Sequence, residues 1–129
     1  MRLYTVAVTY MWSFALVAAF FGPAKADSLL IMFEAEGCSY CELWKAEIGP
    51  IYPKTSEAQI APLMIIDIDD PLPEGISITS AAIYTPTFVL IDNGQEIDRL
   101  AGYPGEDFFW ALLDRMLNKL PEHNTEGSS

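Results

Sequence analysis

Two cysteines, Cys38 and Cys41, close the run Phe33-Glu34-Ala35-Glu36-Gly37-Cys38-Ser39-Tyr40-Cys41 and are the only two in the chain. At that spacing on a helix their Cα atoms lie roughly 5–6 Å apart, within the range a disulfide needs, so the pair can open and close without large backbone motion. The ring closed this way is short and restrains the unfolded chain little, which makes the bridge a poor staple and a good switch. If a helix starts at Cys38, its unpaired first-turn N–H groups and the positive end of its dipole favour a thiolate there, below the ordinary thiol value of ~8.5. Cys41, pointing back into the protein, is then the resolving thiol. A purely structural bridge and a two-thiolate copper or zinc delivery site are the competing readings of these residues. A four-thiolate zinc site needs a second pair, which the chain lacks.

The elements around the cysteines must provide that helix start. Residues 28–33 are a short continuous apolar run, the pattern of a strand buried on both faces. A polar turn follows over 34–37, and residues 38–48 then place Cys41, Trp44, Lys45 and Ile48 at helical spacings until Gly49-Pro50 interrupts them. Ser56-Glu57-Ala58-Gln59 has the Ser-x-x-Gln form of a capping box and predicts a short helix over 57–61. A strand is expected over 63–68 and a loop with Pro71 and Pro73 over 69–75; residues 76–84 fit a short helix or irregular chain equally well.

Residues 87–91 are β-branched and aromatic, Asp92-Asn93-Gly94 is a hairpin turn, and residues 95–100 return antiparallel. Over 104–120 an apolar stripe of Phe108, Leu112, Leu113, Met116, Leu117 and Leu120 predicts a closing helix, with Glu106 and Asp107 in its first turn and Lys119 in its last. Trp44 and the trio Phe108, Phe109 and Trp110 read as core packing. Strand, helix, strand, hairpin and helix together make an α/β sandwich with parallel and antiparallel strands in one sheet.

Length and charge limit what such a chain can do. Its 129 residues allow one domain, and a 51% hydrophobic content is too high for a disordered chain. A net charge of −11 argues against a phosphate-binding surface, so nucleic acid is not an expected partner. Residues 1–26 resemble an export signal: Arg2, a mostly apolar stretch to Phe21, then Ala24-Lys25-Ala26 as a small-x-small cleavage site. The apolar stretch also reaches the ~18 residues of a membrane span, so an uncleaved anchor is the alternative. Without Arg2 and Lys25 the remainder keeps five basic residues against 18 acidic ones, a net charge of −13. About a hundred residues can bury a core unaided, which leaves the cysteines free for chemistry. The domain is expected over 27–121, with 122–129 a polar tail holding the lone His123. Asp67, Asp69 and Asp70 read as a solvated strand-end loop, and no metal site is expected.

Followed downstream by Tyr84-Thr85-Pro86-Thr87-Phe88, the Cys38–Cys41 motif resembles the thioredoxin superfamily over residues 28–120. The resemblance implies a thioredoxin-like three-layer sandwich and a thiol-disulfide oxidoreductase with catalytic Cys38 and Cys41. It needs no cofactor beyond that disulfide. It also implies a cis proline at Pro86, facing the disulfide, with the backbone at Thr85 pairing with an extended substrate chain; Ser39 and Tyr40 shape the same substrate groove. The export signal, the Gly-Cys-Ser-Tyr-Cys site and the acidic domain are similar to the periplasmic thioredoxins of bacterial sulfur-oxidation (Sox) systems. That narrower likeness implies a monomeric periplasmic reductase that keeps the carrier cysteine protein of thiosulfate oxidation active. Its electrons would come from a membrane thiol donor of the CcdA or DsbD kind. An isomerase or oxidase is the rival within the same class.

Departures from the thioredoxin pattern bear on direction. A buried Asp expected six positions before the first Cys is Met32 here, and Ile65 replaces its usual lysine partner. Glu34 or Glu36, acting through a water, would have to accept the resolving thiol's proton instead. Ser39-Tyr40 includes no histidine to hold a thiolate strongly, which argues against a strong oxidant. Glu34, Glu36 and Glu42 are expected to raise the Cys38 pKa against the helix terminus, for an intermediate-to-reducing potential.

Overall fold

Residues 28–34 carry no turn former, and successive side chains of an extended chain point to opposite faces, so this run forms a strand only where both faces can be covered. In the computed structural model, which describes residues 27–121, it is strand β1 (Ser28–Glu34), with Leu30, Ile31 and Met32 fully buried. Helix α1 (Ser39–Glu47), a 3₁₀ turn (Tyr52–Lys54) and helix α2 (Ser56–Ile60) lead to β2 (Leu63–Asp67). After a long irregular segment come β3 (Thr87–Asp92), β4 (Gln95–Ala101) and α3 (Glu106–Leu117). The sheet order is β2-β1-β3-β4, with β1 and β2 parallel and the other pairs antiparallel. The mixed-sheet α/β sandwich expected from the sequence is thus formed.

Leu30 and Met32 of β1, with Phe88 and Leu90 of β3, face the helices and pack with Cys41, Trp44, Ile48, Phe109, Leu113 and Leu117. Aromatic rings dominate this layer: Trp44 lies 5.3 Å from Phe88 and 5.6 Å from Phe109, centroid to centroid. On the opposite face Ile31, Phe33, Val89 and Ile91 are covered by Leu72, Ile76, Ile78 and Ala82. The third layer is therefore irregular chain rather than a helix. Two prolines and a short apolar spacing suffice to lay side chains on the sheet, and the backbone is satisfied by β4 instead of by helical bonds. Ser77 accepts from Glu96 N–H, Thr79 N–H donates to the Glu96 carboxylate at 2.7 Å, and Arg99 donates to Ser80 C=O at 2.8 Å.

Three local expectations need correction. The cap of α2 is Thr55, whose hydroxyl accepts from Ala58 N–H, while Ser56 is the first helical residue and bonds Glu57. Along α3 the buried stripe runs through Phe109, Leu113, Met116 and Leu117; Phe108 is 67% exposed because the helix is rotated so that Phe109 enters the Trp44–Phe88 cluster. Lys119 lies past the helix and pairs with Asp98 at 2.6 Å. The hairpin turn is as read: Asn93 and Gly94 have φ of 48° and 78°, the left-handed pair of a two-residue turn that matches strand twist. Residues 1–26 and 122–129, with the expected signal and tail and His123, lie outside the described residues.

Phe109→Ala should lower the free energy of unfolding by about 3–5 kcal/mol, whereas Phe108→Ala should change it by less than about 0.5 kcal/mol, read by urea denaturation. A second outcome concerns Glu96, whose carboxyl is held below the ordinary value of 4.5, chiefly by its hydrogen bonds from Arg99. A depressed folded-state value stabilises the fold fully above 4.5 and progressively less as pH falls through it. Glu96→Gln should cost about 1–2 kcal/mol at neutral pH, and its gap from wild type should shrink in urea titrations below pH 4.5.

Candidate functional site

Gly37, at φ 75°, makes the left-handed step that turns the chain from the end of β1 into α1. Cys38 follows as the N-cap, in extended conformation, and its Sγ accepts the N–H of Cys41 at 3.1 Å. A cap normally offers an oxygen to that orphan donor; here a sulfur takes the place, so the group that would carry the thiolate charge meets a first-turn N–H. Cys38 and Cys41 form a disulfide with Cα atoms 5.2 Å apart. The two sulfurs have unequal surroundings. Cys41 is fully buried in the aromatic layer, and Cys38 is half-buried at its rim. Only Cys38 is open to attack from outside.

Ser39 and Tyr40 lie exposed on the first turn of α1, Tyr40 at 60%. The Thr85–Pro86 peptide is cis, Thr85 is half-buried and Pro86 buried. Strand register brings this segment to the cysteine end of the sheet: Thr87 pairs with Phe33, so Pro86 stands at the level where β1 gives way to the turn before Cys38. Pro86 C=O accepts from Gly102 N–H at 2.7 Å, and the buried Thr87 hydroxyl donates to Tyr84 C=O at 2.7 Å. Sheet pairing thus brings all six residues singled out from the sequence to one end of the molecule.

Met32 is fully buried in the same layer as Cys41, and its register partner is Ile65, 42% exposed. No carboxylate occupies either position. Glu34 is held by Lys45 at 2.8 Å, and the same ammonium reaches Glu42 at 2.7 Å. Hydrogen bonds to Glu34 and then Glu42 raise the Lys45 pKa, so the lysine stays charged and balances two of the three acids expected to oppose a Cys38 thiolate. The sequence reading missed this role, although the i,i+3 spacing of Glu42 and Lys45 signals it. Glu36 is exposed. At the other end of α1, Glu47 accepts from the buried Tyr103 hydroxyl at 2.5 Å, and burial first, then this bond, pushes the Tyr103 pKa up.

Asp67 accepts from Asp69 N–H at 2.9 Å, a local turn contact, and among the described residues no group of three or more His, Cys, Asp or Glu could hold a metal. No helix among them is long and apolar enough to cross a membrane.

The family model for a thioredoxin-like domain matches residues 22–117. The crystal structure of the periplasmic thioredoxin SoxS from Paracoccus pantotrophus, in its reduced form, is 48% identical, with a TM-score of 0.70, over 71% of this chain and 97% of that one. Thioredoxin H7 of Arabidopsis thaliana is 32% identical over 95 residues, 74% of this chain, and the match spans 64% of that protein's length. The thioredoxin of Fasciola hepatica shares the fold, with a TM-score of 0.51 at 24% identity over 71% of this chain and 83% of that one.

Removing the Lys45 charge leaves Glu34 and Glu42 uncompensated near the helix start. In a Cys41→Ser background, Lys45→Met should raise the Cys38 pKa by about half a unit and Glu34→Gln should lower it, as read from the pH dependence of iodoacetamide alkylation.

Proposed function

The chain belongs to the thioredoxin-like domain family and carries the Cys-x-x-Cys disulfide of a thiol-disulfide oxidoreductase, and from that premise we propose that it is an exported reductase of partner-protein disulfides. The observation that carries the reading is the asymmetry of the pair: a half-exposed Cys38 capping α1 and a fully buried Cys41 one turn behind it. A structural bridge has no use for a sulfur at an anion-favouring helix start.

In the proposed cycle the Cys38 thiolate attacks one sulfur of a partner disulfide, forming a Cys38–partner bond and releasing the partner's other sulfur as a thiolate that takes up a proton. The partner chain lies along the Thr85–Pro86 edge, beside Ser39 and Tyr40. Cys41 then loses its proton and attacks Cys38 Sγ, which breaks the mixed disulfide and frees the second partner thiol. The electron pair lost by the dithiol is the pair gained by the partner, and the chain is left with the Cys38–Cys41 bridge. That disulfide is the only redox group the cycle needs. With Met32 in place of a buried acid, Cys41 must hand its proton to water or to an exposed carboxylate such as Glu36. Resolution should therefore speed up as pH rises towards the Cys41 pKa.

Similarity to SoxS, a periplasmic thioredoxin, supports the finer part of the proposal. The chain would act in the periplasm as a monomer and keep the carrier cysteine protein of thiosulfate oxidation reduced. A membrane thiol donor of the CcdA or DsbD kind would return the dithiol state. The segment expected to direct export is residues 1–26.

Equilibration of residues 27–129 with dithiothreitol buffers should give a reduction potential of about −250 mV or lower; a value of about −120 to −180 mV would make the protein an oxidase or isomerase. Cys41→Ser should trap dithiothreitol-sensitive adducts with extracytoplasmic proteins, and Cys38→Ser should abolish them. A metal-delivery module would give no adducts with either variant.

A further inference from the structure

We propose that Ile83 and Tyr84 determine substrate specificity, gripping a partner chain whose reacting cysteine is flanked by apolar and basic residues. This rests on the reading that Cys38 exchanges with protein disulfides. Ile83 is 75% exposed and Tyr84 66%, and Ile83 is the most exposed large apolar side chain among the described residues. They stand immediately before Thr85, at the cysteine end of the sheet. Two adjacent apolar side chains in water forgo the stabilisation that burial brings, and a second chain laid across them restores it.

Their backbone is not free to collapse and hide them. Tyr84 C=O is held by the Thr87 hydroxyl, itself 2% exposed, and Pro86 C=O is held by Gly102 N–H, both at 2.7 Å. The segment is therefore anchored while the side chains stay out in solvent, which lowers the ordering cost a partner must meet. Tyrosine suits this role: it offers a large contact area with few rotamers to freeze, and it is enriched among residues that dominate binding.

Charge narrows the occupant. Ile68 N–H donates to Glu34 C=O at 2.8 Å, which joins the turn after β2 to the turn before Cys38. The exposed acids Glu36, Asp69 and Asp70 belong to these turns, and none forms an ion pair among the described residues. A chain reaching Cys38 passes this acidic rim, so lysine or arginine beside its cysteine is favoured and glutamate disfavoured.

The test uses protein reduced with dithiothreitol and then freed of it, mixed in single turnover with three oxidants. These are a disulfide-linked peptide dimer with Leu and Lys beside its cysteine, the same dimer with Ser and Glu there, and hydroxyethyl disulfide. In each case the Cys38–Cys41 dithiol is oxidised to the bridge and the oxidant is reduced to two thiols. Wild type should prefer the Leu/Lys dimer over the Ser/Glu dimer by roughly fivefold or more. Tyr84→Ala and Ile83→Ala should each lower the ratio of the Leu/Lys rate to the hydroxyethyl disulfide rate roughly five- to tenfold, and Tyr84→Phe should restore it. Ile51→Ala, an exposed apolar control beyond the far end of α1, should leave the ratio unchanged. Because each ratio is internal to one variant, a general loss of folded protein cancels. Unchanged ratios in both alanine variants, a preference for the Ser/Glu dimer, or a wild-type dimer that Tyr84→Ala dissolves would overturn the proposal. Failure of wild type to react with any of the three disulfides would refute the exchange reading itself.

Discussion

The site depends on one junction: the bond from Cys41 N–H to Cys38 Sγ, formed where β1 ends and α1 begins. It makes a cysteine the N-cap of the helix and sets the other cysteine one turn further in, inside the aromatic layer. Packing then keeps the two sulfurs unequal. Moving Cys41 outward would unseat Trp44, three residues on, which Phe88 and Phe109 hold from β3 and α3. The helix terminus supplies the electrostatics, and the core fixes which sulfur lies half-exposed at the rim and which is buried.

Around this junction the chain manages an unusually negative surface. A domain with a large excess of acids would oppose a thiolate if those acids clustered at the helix start, and Glu34 and Glu42 do lie there. Lys45 ties both to one ammonium. Exposed ion pairs of this kind add little to stability, so the value of the arrangement lies in local charge rather than in folding energy. Met32 has the opposite consequence: the buried layer around Cys41 holds no carboxylate, which favours packing and leaves a Cys41 thiol proton without a buried acid to accept it.

The other face of the sheet shows how little regular structure a third layer requires. Residues between β2 and β3 cover Ile31, Phe33, Val89 and Ile91 without a helix, because Glu96 and Arg99 of β4 satisfy the backbone at Thr79 and Ser80 that a helix would have satisfied internally. The same segment runs on into Ile83, Tyr84 and Thr85. The covering layer and the edge proposed for partner chains are thus one continuous stretch, anchored at both ends by strand side chains and backbone.

Local chemistry determined much of this protein from sequence alone. An apolar run, a glycine turn and two cysteines at helical spacing specify a strand, a left-handed step and a capped helix, each through contacts within a few residues. Asn93-Gly94 specifies its hairpin in the same way, since both residues readily take the left-handed conformation of a two-residue turn that matches the strand twist. What the sequence left open depends on partners distant along the chain. Phe108 and Phe109 are equally apolar neighbours, and only the docking of α3 against Trp44 and Phe88 decides which is buried. Residues 76–84 have no local preference strong enough to choose a conformation, so the side chains of β4 choose it. That Thr85–Pro86 and Cys38 lie at the same end of the sheet comes from β1–β3 register, a pairing across more than fifty residues. Local propensities act over a turn or two, whereas burial and pairing are settled only when the whole sheet has assembled.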